Sequence, residues 1–181
     1  FNGYRLPAGQ PWAANQIDPV RIRRDAAAAR KAGADIVVVS LHWGTEYRSA
    51  PDSFQRSVAD AILPSPDIDL VIGHHAHVVQ PISMVKGTYV VWGLGNQLSN
   101  QSAPTQRDGL TVVATFGLGW DLRWHVSGME AVPTWVQPGT YKVLPAVLTL
   151  QDPHTTAATK ASLRASYDRT VATVRSGRAP G

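Results

Sequence analysis

Two apolar runs that lead directly into histidines constrain the fold of this chain more than any other feature. DIVVVSL at residues 35–41 ends at His42, and DLVI at residues 69–72 leads into GHHAH at residues 73–77. Short β-branched runs without polar alternation are typical of central strands that helices cover on both faces. The segment 52–63 between them places its apolar residues on one helical face. The sequence therefore predicts a right-handed parallel β-α-β unit and an α/β fold.

Further elements extend this unit on both sides. A helix is predicted at residues 19–32, because Asp18 and Pro19 form a favourable helix start and the alanines that follow favour helix. A third buried strand is predicted at residues 88–92 and ends in the turn GLGN. The carboxyl ends of parallel strands meet at one edge of a sheet, where open α/β sheets bind ligands. His42, the GHHAH segment and the GLGN turn are therefore expected to line one pocket.

The rest of the chain follows a different pattern. Alternating runs at residues 108–150, separated by Gly, Asp and Pro, predict an antiparallel meander beside the first sheet. Residues 155–176 predict a C-terminal helix, and residues 1–17 predict an extended loop. We interpret residues 1–181 as a single domain that is itself incomplete, in which residues 18–100 form the parallel portion that carries the motifs.

Composition excludes several classes of function. The chain has no cysteine, so disulfides, thiolate metal sites and cysteine nucleophiles are excluded, and any metal must be bound by nitrogen and oxygen. Lys and Arg exceed Asp and Glu by only 17 to 13, without a basic stripe, so nucleic acid is not expected as a partner. The sequence contains no glycine-rich phosphate loop and no serine nucleophile elbow. It begins at Phe1 in a polar stretch, which indicates a fragment of a longer protein.

The histidines of GHHAH, together with His42 at the neighbouring strand end, are the strongest chemical signal. Neutral imidazole is a favoured ligand of zinc, manganese and iron. Two imidazoles one residue apart can reach a common centre when the backbone turns tightly after a strand. A histidine-rich surface loop without metal is the alternative for an isolated His-x-His. Because a fourth histidine ends the adjacent strand, we favour a metal site.

Three nearby residues have more than one role open to them. Glu46 is predicted to be a metal ligand, a general acid or base, or a contact to substrate, with a solvated loop carboxylate as the alternative. Trp43 either lines the pocket or lies in the core. Asn96 either orients a ligand or caps the backbone turn, and the turn role ranks first. We carry Trp43 and Asn96 forward as candidate substrate-binding residues, and expect His125 and His154 to be structural or exposed.

Three consecutive motifs make the chain resemble a known family. DIVVVSLHWGTEY, DLVIGHHAHVVQPI and VVWGLGN resemble the C-terminal motifs of the CapA, or poly-gamma-glutamate synthesis, proteins, a branch of the calcineurin-like metallophosphoesterase superfamily. The match covers about residues 18–100 in the correct order, and the series is specific although each motif alone is weak. The resemblance implies the C-terminal part of a four-layered α/β/β/α sandwich with metal-binding loops at one edge.

The resemblance also implies the composition of the site. In that superfamily a histidine after one strand and a Gly-His-x-His motif after the next bind two divalent metal ions, here Mn, Zn or Fe. Carried over, the metal ligands are His42, His75 and His77, and His74 is an extra histidine that contacts phosphate or metal. We carry Glu46 and His74 forward as the candidate catalytic residues. The family's N-terminal Gly-Asp and Asn-Asn-His motifs do not occur in these residues. The N-terminal fragment of the same protein is therefore expected to complete the site.

The function that follows from the resemblance is a metal-dependent hydrolase that acts on phosphoesters or gamma-glutamyl amides, with an anionic polymer as the expected substrate. A non-catalytic accessory protein of envelope polymer synthesis or export is the alternative. A third interpretation is that the isolated chain binds only adventitious metal. The resemblance further implies an extracytoplasmic location, associated with the cell envelope or secreted.

Overall fold

The first half of the molecule forms a mainly parallel sheet, in a computed structural model that describes residues 6–10 and 12–177. The elements in chain order are α1 (Pro19–Lys31), β1 (Val38–His42), α2 (Ser53–Ile62), β2 (Leu70–His74), β3 (Ile82–Val85) and β4 (Thr88–Val91). The strand order is β1-β2-β4-β3, in which β1, β2 and β4 are parallel and β3 is antiparallel to β4. In this register His42 lies beside His74 at the carboxyl ends of the strands.

The second half forms an antiparallel sheet and two helices. Its elements are a 3₁₀ turn (Pro104–Gln106), β5 (Asp108–Leu118), β6 (Trp124–Val136), β7 (Val143–Pro145), α3 (Ala146–Gln151) and α4 (Ala157–Arg175). The strand order is β5-β6-β7. The fold is therefore mixed α/β, with one mainly parallel and one antiparallel sheet, as the sequence predicts. No helix among the described residues combines the length and hydrophobicity that crossing a membrane requires.

Side-chain caps explain where the helices of the parallel half begin. The Asp18 carboxylate accepts hydrogen bonds from two backbone N–H groups at the start of α1, and Pro19 occupies the first helical position. Asp52 and Gln55 form a capping box at the start of α2. Both predicted helices are present, and each observed end lies within one residue of its prediction.

Three hydrophobic clusters hold the layers together. Helices α1 and α2 cover one face of the parallel sheet, where Ile62 packs with Val71. The other face packs on the antiparallel sheet through residues such as Val91 and Leu110. Helices α3 and α4 pack on β6 and β7 around Leu163. The strand ends that carry the histidines therefore rest on a core that is buried from both sides at β2 and β4.

Two predicted strands differ from the structure. The run at 35–41 is predicted to be a central strand covered on both faces, whereas β1 is an edge strand of the described sheet. Val38 is 45% exposed, because the described residues cover only the face of β1 that packs on α1 and α2. The last predicted strand of the meander ends at Pro145, and α3 follows it. Proline has no N–H to extend a strand ladder, but it is well tolerated where a helix begins.

Candidate metal centre

The turn after β2 holds the last three residues of the GHHAH segment, 75–77, in a strained conformation. His75 and His77 have φ values of 98° and 56°, in the left-handed region that residues other than glycine rarely occupy. Ala76 between them is 2% exposed, and its carbonyl accepts a hydrogen bond from the Tyr47 N–H at 2.7 Å. Residues in such conformations cost on the order of 1–3 kcal/mol each and cluster at functional sites. The two imidazoles that flank Ala76 have ring centroids 6.1 Å apart.

Glu46, His75 and His77 form a group that could hold a metal ion. Their ligand atoms all lie within 4.8 Å of one another, and all three residues are partly buried. Two imidazoles and one carboxylate are a donor set that suits zinc, manganese or iron. Three protein ligands are also the usual number in catalytic zinc sites, which keep a further position open. The residues present therefore fit a divalent cation, for which Glu46 offers one of the three ligand atoms.

His42 and His74 end adjacent strands but lie differently with respect to this group. The ring centroid of His42 is 4.7 Å from that of His75, so the histidines that the sequence predicts to converge are neighbours. The Nε2 atom of His74 lies 3.1 Å from the Ser40 hydroxyl, and neither His42 nor His74 is part of the three-residue group. The structure thus places His42 next to the His75 ring and His74 against Ser40 of β1.

Asn96 contacts a predicted ligand. Its Oδ1 lies 2.9 Å from Nδ1 of His77, and its Nδ2 donates to the Gln101 side chain and to the Gln106 carbonyl, both at 2.9 Å. The side chain therefore holds the turn after β4, the role that its sequence position favours. It also contacts the ring of His77, one of the candidate metal ligands.

The structure corrects the candidate role of Trp43 in substrate binding. Trp43 is only 1% exposed, and its Nε1 donates to the Trp92 carbonyl at 3.0 Å. The two indoles stack with ring centroids 5.5 Å apart. A Cβ at Gly73 would lie 1.9 Å from the same Trp92 carbonyl oxygen, so only glycine allows β2 to come this close to the backbone of Trp92. Trp43 packs in the core beneath the strand ends and is too buried to contact a substrate.

A known protein family matches the half of the chain that contains Glu46, His75 and His77. Residues 3–101 match the family described as bacterial capsule synthesis protein PGA_cap, which is more than half of the 181 residues. The chain belongs to this family. The matched region includes β1, β2 and β4, and hence every candidate ligand named above.

Individual relatives agree with the PGA_cap assignment. The PGA biosynthesis protein CapA of Bacillus subtilis is 42% identical over 82 residues, which cover 45% of this chain and 21% of that protein. The capsule biosynthesis protein CapA of Bacillus anthracis is 31% identical over 120 residues, which cover 66% of this chain and 28% of that protein. A probable polyglutamine synthesis accessory protein of Mycobacterium tuberculosis is 36% identical over 72 residues, which cover 38% of this chain and 18% of that protein. The chain thus spans less than a third of the length of these relatives.

The electrostatics of this PGA_cap site favour neutral imidazoles. Burial lowers the pKa of His42, and the neighbouring histidines His75, His74 and His77 lower it further. Burial is also the largest influence on the pKa of His75 and lowers it, while Glu46 acts in the opposite direction. The pKa of His74 is lowered by burial alone. Because metal ions bind the neutral imidazole, these residues are in the form that can act as ligands at neutral pH.

Tyr47 and Gln101 belong to the site but are not predicted from the sequence. The Tyr47 ring stacks on His77 with centroids 6.0 Å apart and an interplanar angle of 26°. Its hydroxyl accepts a hydrogen bond from Nε2 of Gln101 at 3.2 Å. Tyr47 closes the HWGTEY motif, so its place beside Glu46 was a signal that could have identified it. Gln101 lies in a loop without any local pattern, and only the tertiary structure brings it to the site.

Proposed function

We propose that this chain is part of a metal-dependent hydrolase of capsule and poly-gamma-glutamate synthesis. The observation that carries the proposal is the convergence of Glu46, His75 and His77 within 4.8 Å, with the His42 ring alongside. This group stands at the carboxyl ends of parallel strands, where α/β sheets place their ligand sites. The bonds that we propose it cleaves are phosphoesters or gamma-glutamyl amides, as part of an anionic polymer or a smaller phosphoester.

In the proposed site, Glu46, His75 and His77 bind one divalent ion, and His42 is a ligand of a second. The ions, Mn, Zn or Fe, would polarise a phosphoryl or carbonyl oxygen and activate water. The protein's own contribution is to fix the donors in place before substrate arrives. The strained turn orients both imidazoles, and the hydrogen bond from Tyr47 N–H to Ala76 ties the loop of Glu46 to that turn.

His74 has a separate proposed role. Its imidazole lies at the end of β2 beside the Ser40 hydroxyl of β1, in register with His42. From this position we propose that it donates a hydrogen bond to an anionic oxygen of the substrate. Such a donor stabilises negative charge that develops on a phosphoryl or carbonyl oxygen during hydrolysis.

The N-terminal part of the same protein is the proposed partner that completes both sheet and site. Among the described residues β1 pairs only with β2, and Val38 and Ser40 on its outer face are exposed. A cleft of about 390 Å³ runs alongside, between β1 and residues 15–26. An exposed strand edge readily pairs with a further strand. A strand added here would extend the parallel sheet toward the four-layered α/β/β/α sandwich and bring the carboxylate ligands that a two-metal site needs.

A non-catalytic accessory role is the second candidate. The Mycobacterium tuberculosis relatives are named as accessory proteins of polyglutamine synthesis. The described residues also supply a single group of three close ligands, fewer than two ions require. Under either candidate we propose an extracytoplasmic location, associated with the cell envelope or secreted, because a capsule is assembled at the cell surface.

The proposal is tested by combining metal analysis with an activity assay. The full-length protein is purified with Mn²⁺ or Zn²⁺, and its hydrolysis of a generic phosphodiester and of poly-gamma-glutamate is measured. We expect stoichiometric metal and turnover in the wild type, and loss of both in the double variant His75→Ala/His77→Ala. His125→Ala is the matched control, because His125 pairs with Asp121 on a different part of the molecule.

The outcomes separate the two candidates. A wild-type protein with neither stoichiometric metal nor turnover on either substrate would support the accessory role. Turnover that is the same in the wild type and in the double variant would contradict the proposed site altogether.

A further inference from the structure

The orientation of the Asn96 side chain is fixed by its surroundings. Its Nδ2 donates to the backbone carbonyl of Gln106 at 2.9 Å and to that of His77 at 3.3 Å. Backbone carbonyls can only accept hydrogen bonds, so the amide nitrogen must face them. The Gln101 Oε1, at 2.9 Å, is a third acceptor on the same side. The amide oxygen of Asn96 is therefore left to face the ring of His77.

This orientation determines which ring nitrogen of His77 carries the proton. Asn96 Oδ1 lies 2.9 Å from Nδ1 of His77, and an amide oxygen can only accept. Nδ1 must then be the donor, which leaves Nε2 of the neutral ring as the atom with a lone pair for a cation. Histidine ligands of metals are commonly fixed in this way by a second hydrogen bond to the other nitrogen.

We propose that Asn96 is a positioning residue that holds His77 in the Nδ1-protonated form, with Nε2 available to a divalent cation. Tyr47 holds the same ring from its face, with ring centroids 6.0 Å apart. The Gln101 side chain connects the two, because it accepts from Asn96 and donates to the Tyr47 hydroxyl. The ring of His77 is thereby held from its edge and from its face before any ion binds. The effect of Asn96 on metal binding rests on the proposed function, whereas the position of the proton on the His77 ring does not.

The protonation state is tested in the metal-free chain. Two-bond ¹H–¹⁵N correlation spectra at a pH where His77 is neutral distinguish a proton on Nδ1 from one on Nε2. We expect Nδ1–H for His77 in the wild type and a shift toward Nε2–H, the form that free imidazole side chains favour, in Asn96→Ala. A wild-type spectrum with the proton on Nε2 would overturn the inference.

Zinc affinity then tests the consequence. Loss of an outer partner of a ligand typically lowers metal affinity by about 10- to 100-fold, and we expect a loss in this range for Asn96→Ala in competition titrations with a chelator. Asn96→Asp keeps an oxygen acceptor for Nδ1 but loses the amide donors, so we expect its affinity to stay within about threefold of wild type. Asn100→Ala, an exposed asparagine of the same loop, is the control and should bind zinc as wild type does.

The design separates the inference from the function on which it rests. If Asn96→Asp binds as weakly as Asn96→Ala, the amide donors and the turn matter instead of the His77 contact, and the inference is overturned. If His77→Ala binds zinc as tightly as wild type while the spectra show Nδ1–H, the proposed metal site fails and the positioning contact stands.

Discussion

The two ends of the four-stranded sheet use ionisable side chains in different ways. At the amino-terminal end, the Asp69 carboxylate accepts hydrogen bonds from the Arg30 guanidinium and, at 2.6 Å, from the Val37 N–H, and its side chain is only 7% exposed. At the carboxyl-terminal end, donors from different loops gather within 4.8 Å of one another. One end uses a charge pair to hold α1 and β1 against β2. The other collects several ligands around a common point.

A cleft at the amino-terminal end sharpens this contrast. It measures about 420 Å³, and its lining includes Arg123 and His125. Each of these has an acidic partner: His125 Nε2 lies 2.9 Å from Asp121, and Arg123 lies 3.7 Å from Asp67. At the carboxyl-terminal end, Tyr47, His75 and His77 all have left-handed φ values. Convergent donors on a strained backbone, and not the size of a cleft, therefore identify the candidate site.

The largest effect that we expect tests whether the amino-terminal end is purely structural. Asp69→Ala leaves the Arg30 guanidinium, which is 18% exposed, without its carboxylate. Loss of one partner of a buried pair should lower the free energy of unfolding by about 3 kcal/mol. Zinc affinity should not change, because no ligand moves. Urea denaturation measures the first quantity and chelator competition the second.

The control for this variant is Asp60→Ala. Asp60 pairs with Lys86 at 3.9 Å, and both side chains are well exposed, so its removal should cost less than about 1 kcal/mol. A drop in zinc affinity in Asp69→Ala at a temperature where the protein is fully folded would break the distinction between the two ends.

An intermediate effect is expected from a buried amide pair behind the ligand group. Gln55 and Gln80 are both fully buried, and Nε2 of Gln55 donates to Oε1 of Gln80 at 2.8 Å. Nε2 of Gln80 donates in turn to the Arg48 carbonyl at 2.9 Å, which holds the loop that carries Glu46. Gln80→Leu removes the hydrogen bonds of Gln80 to Gln55 and to the Arg48 carbonyl and should cost about 2 kcal/mol in unfolding free energy. Because the Glu46 loop is released, zinc affinity should fall as well.

Gln151→Leu is the matched control, since Gln151 is exposed at the end of α3 and its replacement should change the unfolding free energy by less than about 0.5 kcal/mol. A Gln80→Leu protein that loses stability but binds zinc as wild type does would show that the buried pair does not position Glu46.

Local patterns were sufficient to predict the elements that carry the site. The helix start at Asp18 and Pro19 predicted α1 closely, and the helical spacing of apolar residues at 52–63 predicted α2 closely. The parallel crossover then placed His42 beside the GHHAH segment, and the two lie in adjacent strand ends of the structure. These features depend on neighbours in sequence and on a topological rule that has few exceptions.

What could not be predicted depends on tertiary contacts. β1 has the composition of a central strand, but the described residues cover one of its faces, and sequence alone does not reveal which layers are present. From sequence, Trp43 could line the pocket or lie in the core, and its burial follows from stacking against Trp92, 49 residues further along the chain. The contact between Asn96 and His77 joins two loops that no periodicity relates.

The smallest effect concerns Asp52, which caps α2 at the carboxyl-terminal end of the sheet. Partial burial raises the pKa of its carboxyl, but hydrogen bonds from the Gln55 N–H and the Thr45 hydroxyl outweigh this, so the pKa lies below its ordinary value of 3.8. Because the folded-state pKa is the lower one, the ionised carboxylate stabilises the fold above the unfolded-state pKa. This contribution is lost as the pH falls through the folded-state value.

Asp52→Asn keeps a capping oxygen but removes the charge, so it should lower the unfolding free energy at pH 7 by less than about 1 kcal/mol. The difference from wild type should shrink toward zero as the pH is lowered below 3.8, in urea titrations at several pH values. Asp60→Asn, an exposed aspartate in the last half of α2, is the control for a general effect of charge. If the deficit of Asp52→Asn were the same at every pH, ionised Asp52 would add nothing to the cap. A negative charge at this end of the sheet would then have a role only at Glu46, whose carboxylate lies close to the imidazoles of His75 and His77.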